Sequence, residues 1–131
     1  MTTYTFQKAS LDANWSDPTI WSGGIFPNAP DADVIIPTLI VNGSSYSSTI
    51  NIQSAQNFSI RSLSITNNFL QIDGSLNVSG HIAVNTAGNL RGFRGHISAG
   101  SLDNNGFVAG PVEISVAGMF ATKEPSAVLQ A

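Results

Sequence analysis

The sequence predicts an all-β fold, a short solenoid of stacked coils with a tryptophan-rich cap at its N-terminal end, and three observations predict it. From Val34 onward the chain reads as short alternating runs, "STINI", "SLSI", "SLNVSGHIAV" and "VEISV", separated by the turn pairs NG, NN, DG and AG. Apolar positions recur about every 19 residues: Leu63, Ile82 and Leu102 form one track, Val78, Ile97 and Val116 a second, and Val41 and Ile60 share the spacing. Residues 1–33 differ from all that follows, holding both tryptophans, three of the six prolines and four of the eight acidic residues.

Taken in order, the first element is the cap, residues 1–33. Its centre reads "NWSDPTIWSGGIFPNAPDADVII" from Asn14 to Ile36, with Trp15 and Trp21 six residues apart. An open solenoid end exposes apolar core and an unpaired strand edge together, so large aromatic residues placed there serve as a lid. Gly23-Gly24 permits a tight turn, and Pro27 and Pro30 hold the chain extended into a strand at Val34–Ile36. The same residues have a second use as a sugar platform, in which Trp15 and Trp21 stack on pyranose rings while Asp17, Asp31 and Asp33 accept bonds from hydroxyls.

Residues 34–120 are the coils, with room for roughly four to five at the observed period. A coil of short strands turns every second residue inward and cannot bury those residues alone; the next coil covers them and pairs with its backbone about 4.8 Å away. At the far end Val116, Met119 and Phe120 need cover, supplied by the C-terminal tail (residues 121–131) or by a second subunit. With Trp15 and Trp21 they are the candidate capping and assembly residues. Helical spacing is confined to "KASLDA" at 8–13 and "KEPSAVLQA" at 123–131, the second broken by Pro125, so helix content is expected to be very low.

Composition narrows the functions. The 131 residues make one domain overall. Only 10% are charged, so the surface is solvated by 26 serines and threonines and 12 asparagines instead of ions. Five basic against eight acidic residues give a net charge of -3 with no basic stripe, which argues against a nucleic-acid partner. The chain has no cysteine for a disulfide or a thiolate metal site, and no 18-residue apolar run for a membrane span. "MTTYTFQKAS" lacks the basic start and apolar stretch of a cleavable leader, so export is expected by another route.

No catalytic constellation emerges. Acid–base work on a polysaccharide needs two convergent carboxylates. Among the solenoid carboxylates Asp73, Asp103 and Glu113, Asp73 sits in a DG turn and Asp103 beside Asn104-Asn105, so both are read as turn residues. His81 and His96 are off the period and are read as solvent-facing strand residues, not a metal pair. Phosphate loops, Ser-His-Asp arrangements and zinc spacings are missing from the sequence, so neither enzyme activity nor a metal or cofactor is expected. Arg91 and Arg94, flanking Gly92 and Phe93, form a small basic aromatic spot suited to an acidic glycan, or else a turn with solvated arginines.

The stretch "GSLNVSGHIAVNTAGNLRGFRGHISAGSLDNNGFVAG", residues 74–110, resembles the repeats of filamentous-haemagglutinin-like and autotransporter-like surface proteins, and the Trp-rich opening is similar to the start of many bacterial secreted β-helix proteins. The resemblance implies a single right-handed parallel β-helix. It points to a non-enzymatic structural or adhesive protein, secreted or on the surface of a microbe, without cofactor. Members of those families are much longer, which points to end-to-end joining of subunits into a homo-oligomer or fibre, or to a segment of a longer chain. The alternative is a carbohydrate-binding or phage-type receptor-binding module acting through Trp15, Trp21, Arg91 and Arg94.

Overall fold

The computed structural model describes residues 2–9, 12–91, 95–109, 113–116, 120–122 and 128–129. Among them the chain is all-β, without α-helix. It opens with β1 (Thr2–Thr5) and β2 (Ala13–Asn14), followed by two 3₁₀ turns, Pro18–Ile20 and Ser22–Gly24. Next come β3 (Ala32–Ile36), a hairpin of β4 (Leu39–Val41) and β5 (Ser44–Tyr46), and β6 (Thr49–Ile52). Later passes run β7 (Asn57–Ile60), β8 (Ser62–Ile65) and β9 (Phe69–Ile72), then β10 (Ser75–Val84) and β11 (Asn89–Arg91), then β12 (His96–Asn104) and β13 (Phe107–Ala109). The last is β14 (Glu113–Val116), β15 (Phe120–Thr122) and β16 (Val128–Leu129). No helix among the described residues is long and apolar enough to cross a membrane.

These strands form two parallel sheets. The first runs β1-β3-β8-β10-β12-β14, with β7 also on β10 and β15 also on β12; the second runs β2-β6-β9-β11-β13-β16. Among the named strands of the described residues the hairpin is the antiparallel pair. Every second residue faces inward, as in β6 "TINI", β8 "SLSI" and β9 "FLQI", because successive strand side chains point to opposite faces. Parallel pairing stacks these residues in columns: Val34, Leu63, Ile82 and Leu102; Ile50, Leu70, Leu90 and Val108. All eight are at most 2% exposed. A third column, Ile36, Ile65 and Val84, continues to the buried amide of Asn104, whose Oδ1 accepts from Gly106 N at 3.0 Å, and on to Thr122 in β15.

The track Leu63, Ile82, Leu102 is the pairing observed. The track Val78, Ile97, Val116 is corrected: Val78 pairs with Ala99 and Ala99 with Val116, while Ile97 pairs with Leu76 and Ile114. Each of those two steps is out by two residues. A slip of two returns a side chain to the same face, so alternation of apolar and polar residues cannot detect it. The pairing of Val41 with Ile60 also fails, because Val41 belongs to the hairpin, opposite Ser44. Asn42 (φ 52°) and Gly43 (φ 80°) supply the two left-handed positions its turn demands.

The helical reading of 8–13 is overturned at Ala13, which begins β2 against Ile50; Ser10 and Leu11 lie outside the described residues. In 123–131 the described pair Val128–Leu129 is strand, paired with Phe107 and Val108. Asp103 is corrected from turn to strand, opposite Ala83 in β10, because the turn begins one residue later than its Asn-Asn-Gly signal suggests. Residues 1–33, set apart by composition, contribute β1 and β2 to the two sheets as well as the tryptophan segment.

Where the chain turns between the sheets, the passes come closer than side chains permit. Gly95 has no left-handed φ, yet a methyl group on it would be driven into the carbonyl of Ile72 one pass below. Gly95→Ala is expected to destabilise by about 2 kcal/mol, since the obstacle is backbone and cannot rotate away. Urea denaturation followed by circular dichroism measures it.

Candidate functional site

The tryptophan segment is built around its 3₁₀ turns. Asp17 caps the first, accepting from Thr19 N at 2.9 Å and from its hydroxyl at 2.7 Å, and Pro18 supplies the fixed φ of the first position. Gly23 (φ 86°) and Gly24 (φ 73°) let the second turn follow at once. The reversal carries Trp21 back onto Trp15, ring centroids 5.0 Å apart at 62°, and onto Phe6 at 6.1 Å. Trp15 also stacks on Phe58 at 5.8 Å, and Phe58 meets Phe26 edge-on at 5.7 Å. Trp21 Nε1 donates to the Trp15 carbonyl and Trp15 Nε1 to that of Pro27, each at 2.8 Å, so both buried indoles are satisfied.

This segment also closes a sheet edge. Phe6 N bonds inward to the Ile35 carbonyl on β3, while the neighbouring donors meet the tryptophan segment. Thr5 N donates to Ser22 Oγ at 3.0 Å and Gln7 N to the Ile20 carbonyl at 2.9 Å, and Phe6 forms an antiparallel bridge with Trp21. A new strand cannot pair with backbone that is already engaged. Trp15 and Trp21 are both 0% exposed, so neither ring offers a face to a sugar.

Asp33 ties the first full pass to the second. Arg61 Nε donates to Asp33 Oδ1 at 2.8 Å and Nη2 to Oδ2 at 2.5 Å, and the Ser62 hydroxyl adds a bond at 2.6 Å. The Arg61 bond, then the Ser62 hydroxyl, hold the Asp33 carboxyl below the usual carboxylate range, and Asp33 raises Arg61 in turn. Thr19 holds Asp17 low in the same way. A depressed carboxylate stabilises the fold fully above its unfolded value of about 4, and the contribution is lost as pH falls through the folded value. The urea midpoint is therefore expected to hold from neutrality to about pH 5 and to drop below about pH 4. Asp33→Asn is expected to remove part of that drop while lowering the neutral midpoint.

The remaining candidates fall elsewhere. Val116 is partly buried against the core, opposite Ala99, and Phe120 opens β15 opposite Leu102; Met119 and Arg94 lie outside the described residues. Arg91 is exposed and rests its guanidinium 4.5 Å from the centroid of Phe69; Phe93 lies outside the described residues. His81 Nδ1 meets Ser101 Oγ at 2.7 Å on the solvent side, and His96 lies opposite Ser75, so the two histidines are not brought together. No group of three potential metal ligands occurs among the described residues.

Sequence reasoning missed three roles. Phe58 belongs to the aromatic cluster, a role that the short run "NFSI" does not disclose. Ser22 caps an edge seventeen residues away, which no local pattern encodes. Asn68, read within a turn pair, is fully buried: its Oδ1 accepts from Ser48 N, and its Nδ2 donates to the carbonyls of Pro37 and Thr66. It thus clamps both stems of the hairpin. Comparison with protein families, with curated proteins and with solved structures finds no match for the chain in any of the three.

Proposed function

We propose that this chain is a right-handed parallel β-helix with a non-enzymatic structural or adhesive role at a microbial surface or in an extracellular matrix. The observation that carries the reading is the register. Consecutive passes cross the first sheet and then the second, each pairing in parallel with the pass before, around columns of aliphatic residues. The right hand is the one parallel crossovers take. Outward positions such as Ser59, Asn77 and Ser98 form polar ladders, with Ser98 Oγ donating to Asn77 Oδ1 at 3.0 Å and Asn77 Nδ2 to Asn57 Oδ1 at 3.0 Å. Such a body suits display and scaffolding.

End-to-end association is part of the proposal, and the edge closed by Ser22 and Trp21 restricts it. Strand pairing between copies uses the end carrying β14 and β16, the last strands of their sheets. Light scattering over a concentration series, with negative-stain imaging of the same samples, tests this. A dimer whose fraction grows with concentration supports it; a sharp monomer peak at the highest concentration, or filaments, which need two open ends, overturns it.

A further inference from the structure

We propose that the outer face of the second sheet binds a carboxylate-bearing glycan, with Arg91 as its anchor and Phe107 as its stacking platform. Register places Phe69, Asn89 and Phe107 in one outward column, with Gln71 and Arg91 in the column beside it. Two aromatic residues in register on the solvent side of a sheet whose other outward positions include Asn14, Thr49, Asn51, Gln71 and Asn89 are out of keeping with a purely solvated face. Phe107 is 38% exposed.

The two phenylalanines have different tasks. Phe69 lies under the Arg91 guanidinium, with Cζ 4.5 Å from the ring centroid, and steadies the cation by cation–π contact, while its N–H groups are of the kind that bond carboxylates in pairs. Arg91 has no carboxylate within ion-pair distance among the described residues, whereas Arg61 is neutralised by Asp33. Between the rings, Asn89 Nδ2 donates to the Ala87 carbonyl at 3.2 Å, so its Oδ1 is left to accept from a sugar hydroxyl. Phe69 and Phe107 are two strand spacings apart, about 10 Å, close to the advance of a disaccharide in an extended β-linked chain. A uronate over Arg91, above Phe69, thus places the ring two sugars along against Phe107, with the intervening ring over Asn89.

The carboxylate, not a neutral sugar, follows from charge. Among the described residues Arg91 is the cation of these two columns, while Gln71 is already held by Asp73 at 3.2 Å. Because that aspartate lies nearby and the net charge is -3, binding of a single chain is weak and salt-sensitive. Useful attachment then requires many copies of the chain on one polymer. This sharpens the adhesive part of the function proposed above and rests on it.

The test is an NMR titration with β-linked oligomannuronate, with β-linked oligomannose of equal length as the neutral counterpart. Shifts are expected at Asn89, Arg91 and Phe107 with the uronate only, fading at high salt. Arg91→Gln is expected to weaken binding about tenfold through loss of a charge-assisted pair, and Phe107→Ala by a similar factor. Since Phe107→Ala also removes partly buried surface, Asn89→Asp serves as the second variant: it places a like charge beside the ligand carboxylate on a solvent-facing residue and is expected to weaken binding as much. Equal binding of the neutral oligomer, shifts confined to the first sheet, absence of shifts at millimolar uronate, or indifference to Arg91→Gln and Asn89→Asp each overturns the site. Loss of binding in Arg91→Gln leaves light scattering unchanged, so failure of the glycan site and failure of end-to-end assembly are told apart.

Discussion

Trp21→Ala is expected to lower unfolding stability by about 4 kcal/mol, the range for deleting a fully buried aromatic side chain. Trp21 contacts Trp15 and Phe6, and its Nε1 is a donor to the Trp15 carbonyl, which the variant leaves without that bond. A domain of this size has total stability of about 5–15 kcal/mol, so the loss is a large share of the whole. The variant has a second expected effect, on solubility. The Phe6–Trp21 bridge and the Gln7 and Thr5 bonds depend on the segment staying in place; without it the β1 edge is open to pairing with other chains. Association beyond the parent's own, growing with concentration in light scattering, is therefore expected for Trp21→Ala. Trp21→Phe, which keeps most of the packing and loses one hydrogen bond, is expected to cost about 1 kcal/mol and to stay as dispersed as the parent. If Trp21→Ala unfolded at the parent's urea midpoint, the segment would be an ornament on the sheet and not its closure.

The cap shows where sequence reasoning reaches its limit. Two tryptophans beside glycines and prolines ahead of the first long apolar run pointed to a lid, because local composition records that something bulky must be buried. Its contacts were not legible, since Thr5–Ser22, Trp15–Phe58 and Trp15–Pro27 join residues whose distance in sequence matches no period. The parallel stack was legible for the opposite reason. Repetition converts long-range pairing into a spacing along the chain, and Leu63, Ile82 and Leu102 announced it. What repetition could not fix was the exact rung, as the two-residue slips at Val78 and Ile97 show. Nor could it separate glycines that turn the chain from those that make room, such as Gly95, or the buried amide of Asn68 from an ordinary turn residue.

Leu90→Asp set against Asn89→Asp gives the sharpest test of the columns. Leu90 is fully buried, stacked between Leu70 below and Val108 above; Asn89 is its neighbour in β11 and points the other way. An ionised carboxylate at Leu90 would lie in a column of aliphatic side chains, where the positions directly above and below offer no partner. The desolvation of such a charge, added to the lost packing, amounts to about 5 kcal/mol or more, enough to unfold a domain of ordinary stability at neutral pH. Protonating the new carboxyl removes most of the charge penalty, so the variant is expected to regain strand signal in circular dichroism as pH is lowered toward 5. Over that span the native carboxylates Asp17 and Asp33, both held low, remain ionised. Asn89→Asp, on the solvent side, is expected to change stability by less than about 0.5 kcal/mol. If the two variants proved equally stable, the inward and outward assignment of β11 would be wrong, and with it the placement of Arg91 and Phe107 on the outer face. Because side-chain direction alternates along a strand, the pair of variants tests parity at one position and, through the parallel register, at every rung paired with it.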